Sequence, residues 1–255
     1  MPPYLTIAFK EIRDHARDTR SILSGAMYAL MGPAAILLVS LSPVASAGGS
    51  RLLLSMMSVF TLVSAFTGGM HIALDVTAGE RERGSLVPLL LNPVPRMHLI
   101  VGKWIGVASF ALAGLALNLV AFTAIFEWRG VNAPIEVFLL WTGAGLVPLA
   151  LFGAALDLLT GAASRTTKDG HTRLSLVMLF PMMVGFLLVF FPASIGNWWF
   201  AVPVVGQQAL IGVGLRGQPV SLWQACVLAV MTIATAVGAL WIAAHALRSD
   251  ETIVA

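Results

Sequence analysis

Residues 52–75 read LLLSMMSVFTLVSAFTGGMHIALD, and Asp75, at the very end, is the first charge in the run. A helix of about 20 apolar residues is what the hydrocarbon core of a bilayer demands. In lipid, the backbone polar groups of such a segment must bond to one another, and a helix does this within itself. The chain then changes character. Residues 78–96 read AGERERGSLVPLLLNPVPR, with Glu80, Arg81, Glu82 and Arg83 in a row, Gly84 behind them, and an apolar run broken by Pro88, Pro93 and Pro95. The charges cannot follow the span into lipid, and the leucines behind them avoid water. The segment 76–96 is therefore expected to lie at the membrane surface with its charged edge outward.

Five further apolar segments of similar length flank this one, at 22–42, 99–126, 136–160, 174–192 and 221–247. The chain is 58% hydrophobic and 11% charged, with a mean hydropathy of +0.89. A soluble domain carries about 25% charged residues. The runs are too long and too evenly apolar for the alternating strands of a membrane barrel. The expected fold class is an all-α integral membrane protein, residues 1–255 forming a single transmembrane domain of six helices. The first residues, MPPYLTIAFKEIRDHARDTR, place charges where a secretory signal would have its apolar core, so the first apolar run is expected to remain as a span. Cys226 is the only cysteine, which excludes an intrachain disulfide and a multi-cysteine metal site.

Lysine and arginine set the orientation. Lys10, Arg13, Arg17, Arg20, Arg81, Arg83, Arg96, Lys103, Arg165, Lys168, Arg173 and Arg248 fall on one side, against Arg51, Arg129 and Arg216 on the other. Both termini and the ERER stretch are thus expected on the cytoplasmic side of a cytoplasmic (inner) membrane. A net charge of +3 without a basic block offers no surface for nucleic acid. Residues 4–20 read as an amphipathic surface helix, with Leu5, Phe9, Ile12 and Ala16 along one edge, suited to the headgroup layer of the lipids. Residues 193–220 are too apolar for a solvated loop and too broken for another span. An outer re-entrant helical segment is expected there, with Trp198 and Trp199 at the interface.

The motifs of nucleotide and hydrolytic chemistry are missing. There is no G-x-x-x-x-G-K-[ST], no H-E-x-x-H and no G-x-S-x-G. The GVGLRG at 212–217 lacks a βαβ context and reads as a turn. No catalytic residue, metal site or bound cofactor is expected in this chain. Four polar residues near or within spans are candidate pathway groups. His71 and Asp75 stand four apart on one helix face, either as a locally satisfied pair or as a proton relay. Asp157 is the acid placed inside a span, as a packing partner or a pathway residue. Asn118 fits interhelical hydrogen bonding. The glycines Gly106, Gly114, Gly143, Gly145 and Gly153 permit close helix approach.

The interleaved acids Glu80 and Glu82 exceed what a topology signal needs and suggest a protein partner of complementary charge. Here the stretch AGERERGSLVPLLLNPVPRMHLIVGKW, from Gly79 through Lys103, resembles the membrane subunits of type-2 ABC (ABC-2) export transporters, most of all the sodium-extruding NatB-type branch. FKEIRDHARDTRSIL is similar to that family's N-terminal surface helix, SRTTKDGHTRLS to its fourth-to-fifth-span loop, FAVPVVGQQALIGVGLRGQ to its re-entrant outer segment, and ALRSDETIVA to its tail. The resemblance implies a connector helix at the N-terminus and a cytoplasmic coupling helix after span two. It also implies a separate P-loop ATPase subunit that carries ATP and Mg, and a second permease chain, identical or paralogous. Glu80, Arg81, Glu82, Arg83 and Gly84 would be the ATPase-coupling residues, Glu82 foremost, with Lys10, Glu11 and Arg13 of the connector adding contacts. Val87 stands where the family usually has Glu. The implied function is a permease subunit of an exporter, with Na+ or another ion or small molecule as cargo. The alternative is a membrane scaffold that recruits a cytoplasmic partner without transport.

Overall fold

A computed structural model of the chain describes residues 2–41, 43–91, 94–130, 135–190, 197–215 and 221–249. The tail 250–255, Arg216 and parts of the 193–220 segment lie outside them, as do the surroundings of Gly143 and the side chains of Arg51, Val87 and Arg248. Among the described residues there is no strand. The helices are α1 (Pro3–Arg17), α2 (Thr19–Ser40), α3 (Pro43–Thr67), α4 (Met70–Leu74), a π-helical turn (Asp75–Gly79), α5 (Glu80–Glu82), α6 (Leu86–Leu90), α7 (Arg96–Arg129), α8 (Ile135–Ala162), α9 (Thr167–Phe190), a 3-10 turn (Asn197–Ala201), α10 (Val205–Leu215) and α11 (Leu222–Ser249). Six helices among them are long and apolar enough to cross a membrane: Thr19–Ser40, Leu53–Glu82, Arg96–Arg129, Gly145–Ala162, Thr167–Phe190 and Leu222–Ala246.

The second of these runs past residue 75, so the ERER charges are its last turns rather than a detached element. Its end is a glycine cap. The Ser85 N–H donates to the Glu80 carbonyl at 3.0 Å and the Gly84 N–H to the Arg81 carbonyl at 3.1 Å. Gly84 adopts φ +70, the left-handed conformation that glycine takes without a Cβ penalty. Leu86 then tucks into the core and Leu91 faces outward.

Helices approach closely where one of them lacks a side chain. A Cβ on Gly68 would lie 3.1 Å from the Ala111 backbone, and one on Gly69 2.7 Å from the Val107 side chain, so the break in span two at 68–69 is seated against α7. A Cβ on Gly102 of α7 would lie 2.7 Å from the Ile7 side chain of α1, and one on Gly106 3.0 Å from that of Glu11. These contacts decide which face of α1 meets the bundle. Ala8, Glu11 and His15 are buried, while Phe9 and Ala16 of the apolar edge point outward and Leu5 and Ile12 are half-buried. Only part of the apolar edge faces outward, and a different edge, partly polar, makes the closest protein contact.

Away from the ERER end, α10 carries the buried amides Gln207 and Gln208. Gln207 accepts from the Val204 N–H, as a capping-box residue does, and donates to Thr232 Oγ1 of α11 at 2.7 Å. Gln208 donates to Ser58 Oγ of α3 at 2.9 Å. The short helix is thereby tied to spans two and six.

Gly161 of α8 is the tightest approach: a Cβ there would lie 2.1 Å from Thr77 Oγ1, whose hydroxyl is already bonded to the Ala73 carbonyl. Gly161→Ala is expected to cost about 1–3 kcal/mol by overpacking, whereas Gly214→Ala, with nothing within 4 Å, serves as a tolerated control. Thermal aggregation midpoints followed by gel filtration in detergent check this. Equal midpoints for the two variants would count against the close packing.

Candidate functional site

The charged end of span two does not simply project outward. Glu80 turns inward and pairs with Lys103 of α7, the two side chains 11% and 2% exposed. Lys103 also donates to the Val76 carbonyl. That carbonyl belongs to the π-helical turn, where i→i+5 bonding replaces the α pattern. Neighbouring carbonyls take side-chain donors as well. Ala73 accepts from Thr77 Oγ1 at 2.5 Å and Asp75 from Arg83 Nη2 at 3.1 Å. The irregular turn is thus held by side chains from its own helix and from α7.

Arg81 and Glu82 reach across to the loop before α9. Arg81 donates to the Ser164 carbonyl. Glu82 accepts from Thr167 N–H at 3.1 Å and from Thr167 Oγ1 at 2.9 Å. Glu82 therefore supplies an orphan N–H in the first turn of α9 with an acceptor and places a carboxylate at its positive end. Arg83 holds Asp75 at 2.7 Å and remains 55% exposed.

The surface helix joins the same junction through His15. His15 Nδ1 lies 2.9 Å from the Glu11 carbonyl, which can only accept, so this nitrogen carries a proton. Nε2 faces the Asp75 carboxylate at 3.4 Å. Burial pulls the imidazole pKa down, but the bond to Asp75, the Glu11 carbonyl and the charges of Glu11 and Asp75 outweigh it and raise the value above the ordinary 6.5. Lys10 is exposed and pairs with Glu11 at 3.1 Å, and Arg13 is exposed. The junction thus links α1, spans two and three and the start of span five.

The sequence-derived residues separate into groups. Glu80, Arg81, Glu82, Arg83, Glu11 and Asp75 converge. Asp75, read from the sequence alongside His71, is engaged by His15 and Arg83, and the ring of His71 stands 6.3 Å from that of His171. Asn118 lies apart, donating to the Ala29 carbonyl at 2.8 Å and so fastening α7 to α2. Asp157 lies within α8, fully buried. His15, Lys103, Ser164 and Thr167 were not singled out as partners in the sequence. Gly102, four residues before Gly106, was a signal the sequence offered that a helix docks on α7; nothing local marks the 23-residue reach from Glu80 to Lys103. Among the described residues no three His, Cys, Asp or Glu side chains converge on a metal position.

With this arrangement in view, the family can be stated. Residues 5–197 match the family described as ABC-2 family transporter protein. The chain belongs to that family and is a multi-pass membrane protein. It is 32% identical over 181 residues to the ABC transporter permease protein NatB of Bacillus subtilis (strain 168). The aligned stretch covers 64% of this chain and 45% of that relative, so the chain spans less than half of NatB's length.

Removing Lys103 leaves Glu80 as an unpaired buried charge. Lys103→Met is expected to destabilise by about 3–5 kcal/mol, and Glu80→Met in the same chain to restore most of it. A double-mutant cycle on denaturant unfolding in detergent measures the coupling; additive losses would show that the pair does not hold the junction.

Because the folded His15 pKa is raised, its contribution is fully present below about pH 6.5 and is lost as pH rises through the folded value. Thermal midpoints should fall with pH across that window in the wild type and less so in His15→Gln. A parallel fall in both would place the titration elsewhere.

Proposed function

We propose that this chain is the permease subunit of an ABC exporter, and that the end of span two is the handle by which a separate ATPase moves the spans. The observation that carries this reading is the junction itself. One short charged segment is bonded to span three through Glu80–Lys103, to the surface helix through Asp75–His15, and to span five through Glu82–Thr167. A push on its exposed edge would be felt by three other helices at once. The conserved physics of such a device is rigidity and fit rather than reactive groups.

Within that proposal the roles divide. Glu82, Arg83 and Gly84 are exposed, as are Lys10 and Arg13 of α1, and they form the face offered to the ATPase. Glu80, Arg81 and Glu11 face inward and transmit the movement. ATP and Mg would be held by the P-loop subunit on the cytoplasmic side. A second permease chain, identical or paralogous, would complete the pathway within an inner membrane with both termini cytoplasmic. The cargo proposed is Na+ or another ion or small molecule, on the likeness to a relative whose name reads ABC transporter permease.

Glu82→Lys reverses the exposed charge, and Glu82→Gln keeps an acceptor for Thr167. The lysine variant is expected to insert normally but to lose the co-purifying ATPase and its coupled export, with the glutamine variant intermediate. Tagged protein from native membranes, with mass spectrometry of what co-purifies and vesicle transport, decides it. Undiminished export by the lysine variant would sink the assignment.

A further inference from the structure

Asp157 of α8 is 0% exposed, and neither of its carboxylate oxygens has a hydrogen-bond partner. It shares a face with Gly153 and Gly161, four residues to either side. A Cβ on Gly153 would lie 3.0 Å from the Ala65 carbonyl, and one on Gly161 3.2 Å from the Ala73 carbonyl. Asp157 therefore sits level with the part of span two between these residues, where the helix is interrupted by the turn at Gly68–Gly69. Thr61 and Ser64 of α3, on the outer side of that turn, also bury hydroxyls without a partner.

An unpaired carboxylate anion in such surroundings would cost far more than the interface could supply, so the group is neutral in this arrangement. A neutral acid without partners is still costly, because a buried unmet donor or acceptor carries its full desolvation penalty. Alanine would pack as well, and the adjacent Ala154, Ala155 and Leu158 show the interface accepts apolar residues. Those neighbours offer no side-chain oxygen to a metal cation. Several titratable groups on the elements packed against this helix are engaged elsewhere or paired with one another. Lys103 is taken by Glu80, Asp75 by His15 and Arg83, and Asp169 by Arg173. His71 lies against His171, and His245 against Trp241.

We propose that Asp157 is a proton-binding site, loaded while spans two and four are packed as seen here and releasing its proton to water when the interface opens at Gly68–Gly69. The bond broken is the carboxyl O–H, leaving the carboxylate, and no other reactant is needed. The proposal depends on the membrane fold alone and stands apart from the ATPase assignment.

The test uses the full chain in lipid nanodiscs and N,N′-dicyclohexylcarbodiimide, which adds to protonated carboxyls in apolar surroundings, with the adduct located by peptide mass spectrometry. Labelling of Asp157 is expected, with a rate that falls about tenfold per pH unit above the midpoint of the site. Exchanging choline for Na+ at constant ionic strength should leave that rate unchanged. Three results would overturn the proposal. These are no adduct at Asp157, a rate independent of pH from about 5 to about 9, which marks a permanently neutral packing residue, or strong protection by Na+, which marks a metal-cation site.

Discussion

The buried pair between Glu80 and Lys103 is the constraint around which the charged end of this protein is arranged. Two charges taken out of water repay their desolvation only with good geometry and further bonds. Lys103 has both, since it also reaches the Val76 carbonyl in the π-helical turn. That carbonyl is accessible because the helix is irregular there, and the irregularity is tolerable because side chains occupy its acceptors. Each feature depends on the other, so the end of span two and the beginning of span three behave as one piece.

From this piece the connections radiate. Arg83 and His15 share the Asp75 carboxylate, which brings the surface helix to the same point. Glu82 meets the first turn of α9. Packing reinforces the polar links: Gly102 and Gly106 let α1 lie almost against the backbone of α7, and Gly161 does the same for α8 against the π-helical turn. Contacts this close transmit displacement because close-packed interfaces have little slack to absorb it. The amides Gln207 and Gln208 give α10 a similar attachment to spans two and six, without charge.

The two kinds of buried polar group serve different ends. At the junction nearly every charge has a partner, and the result is mechanical. At Asp157 the partners are missing, and the group sits level with the break in span two.

The class of fold was legible in composition and run length, because a chain with 11% charged residues cannot form a solvated shell. Six apolar runs, the ERER charges and the family resemblance could all be read from neighbours along the chain. The amphipathic edge of α1 was legible as well, but the buried residues Ala8, Glu11 and His15 lie off it. Periodicity reports which face is greasy, not which face meets protein when lipid is also a solvent for apolar side chains. The partners of the site were not legible. Glu80 and Lys103 are 23 residues apart, Glu82 and Thr167 are 85 apart, and His15 meets Asp75 from another helix. Sequence by itself determined how many apolar helices are long enough to span and where charge must stop. Only the tertiary structure decided which charges face inward, because that depends on where glycines allow two helices to touch.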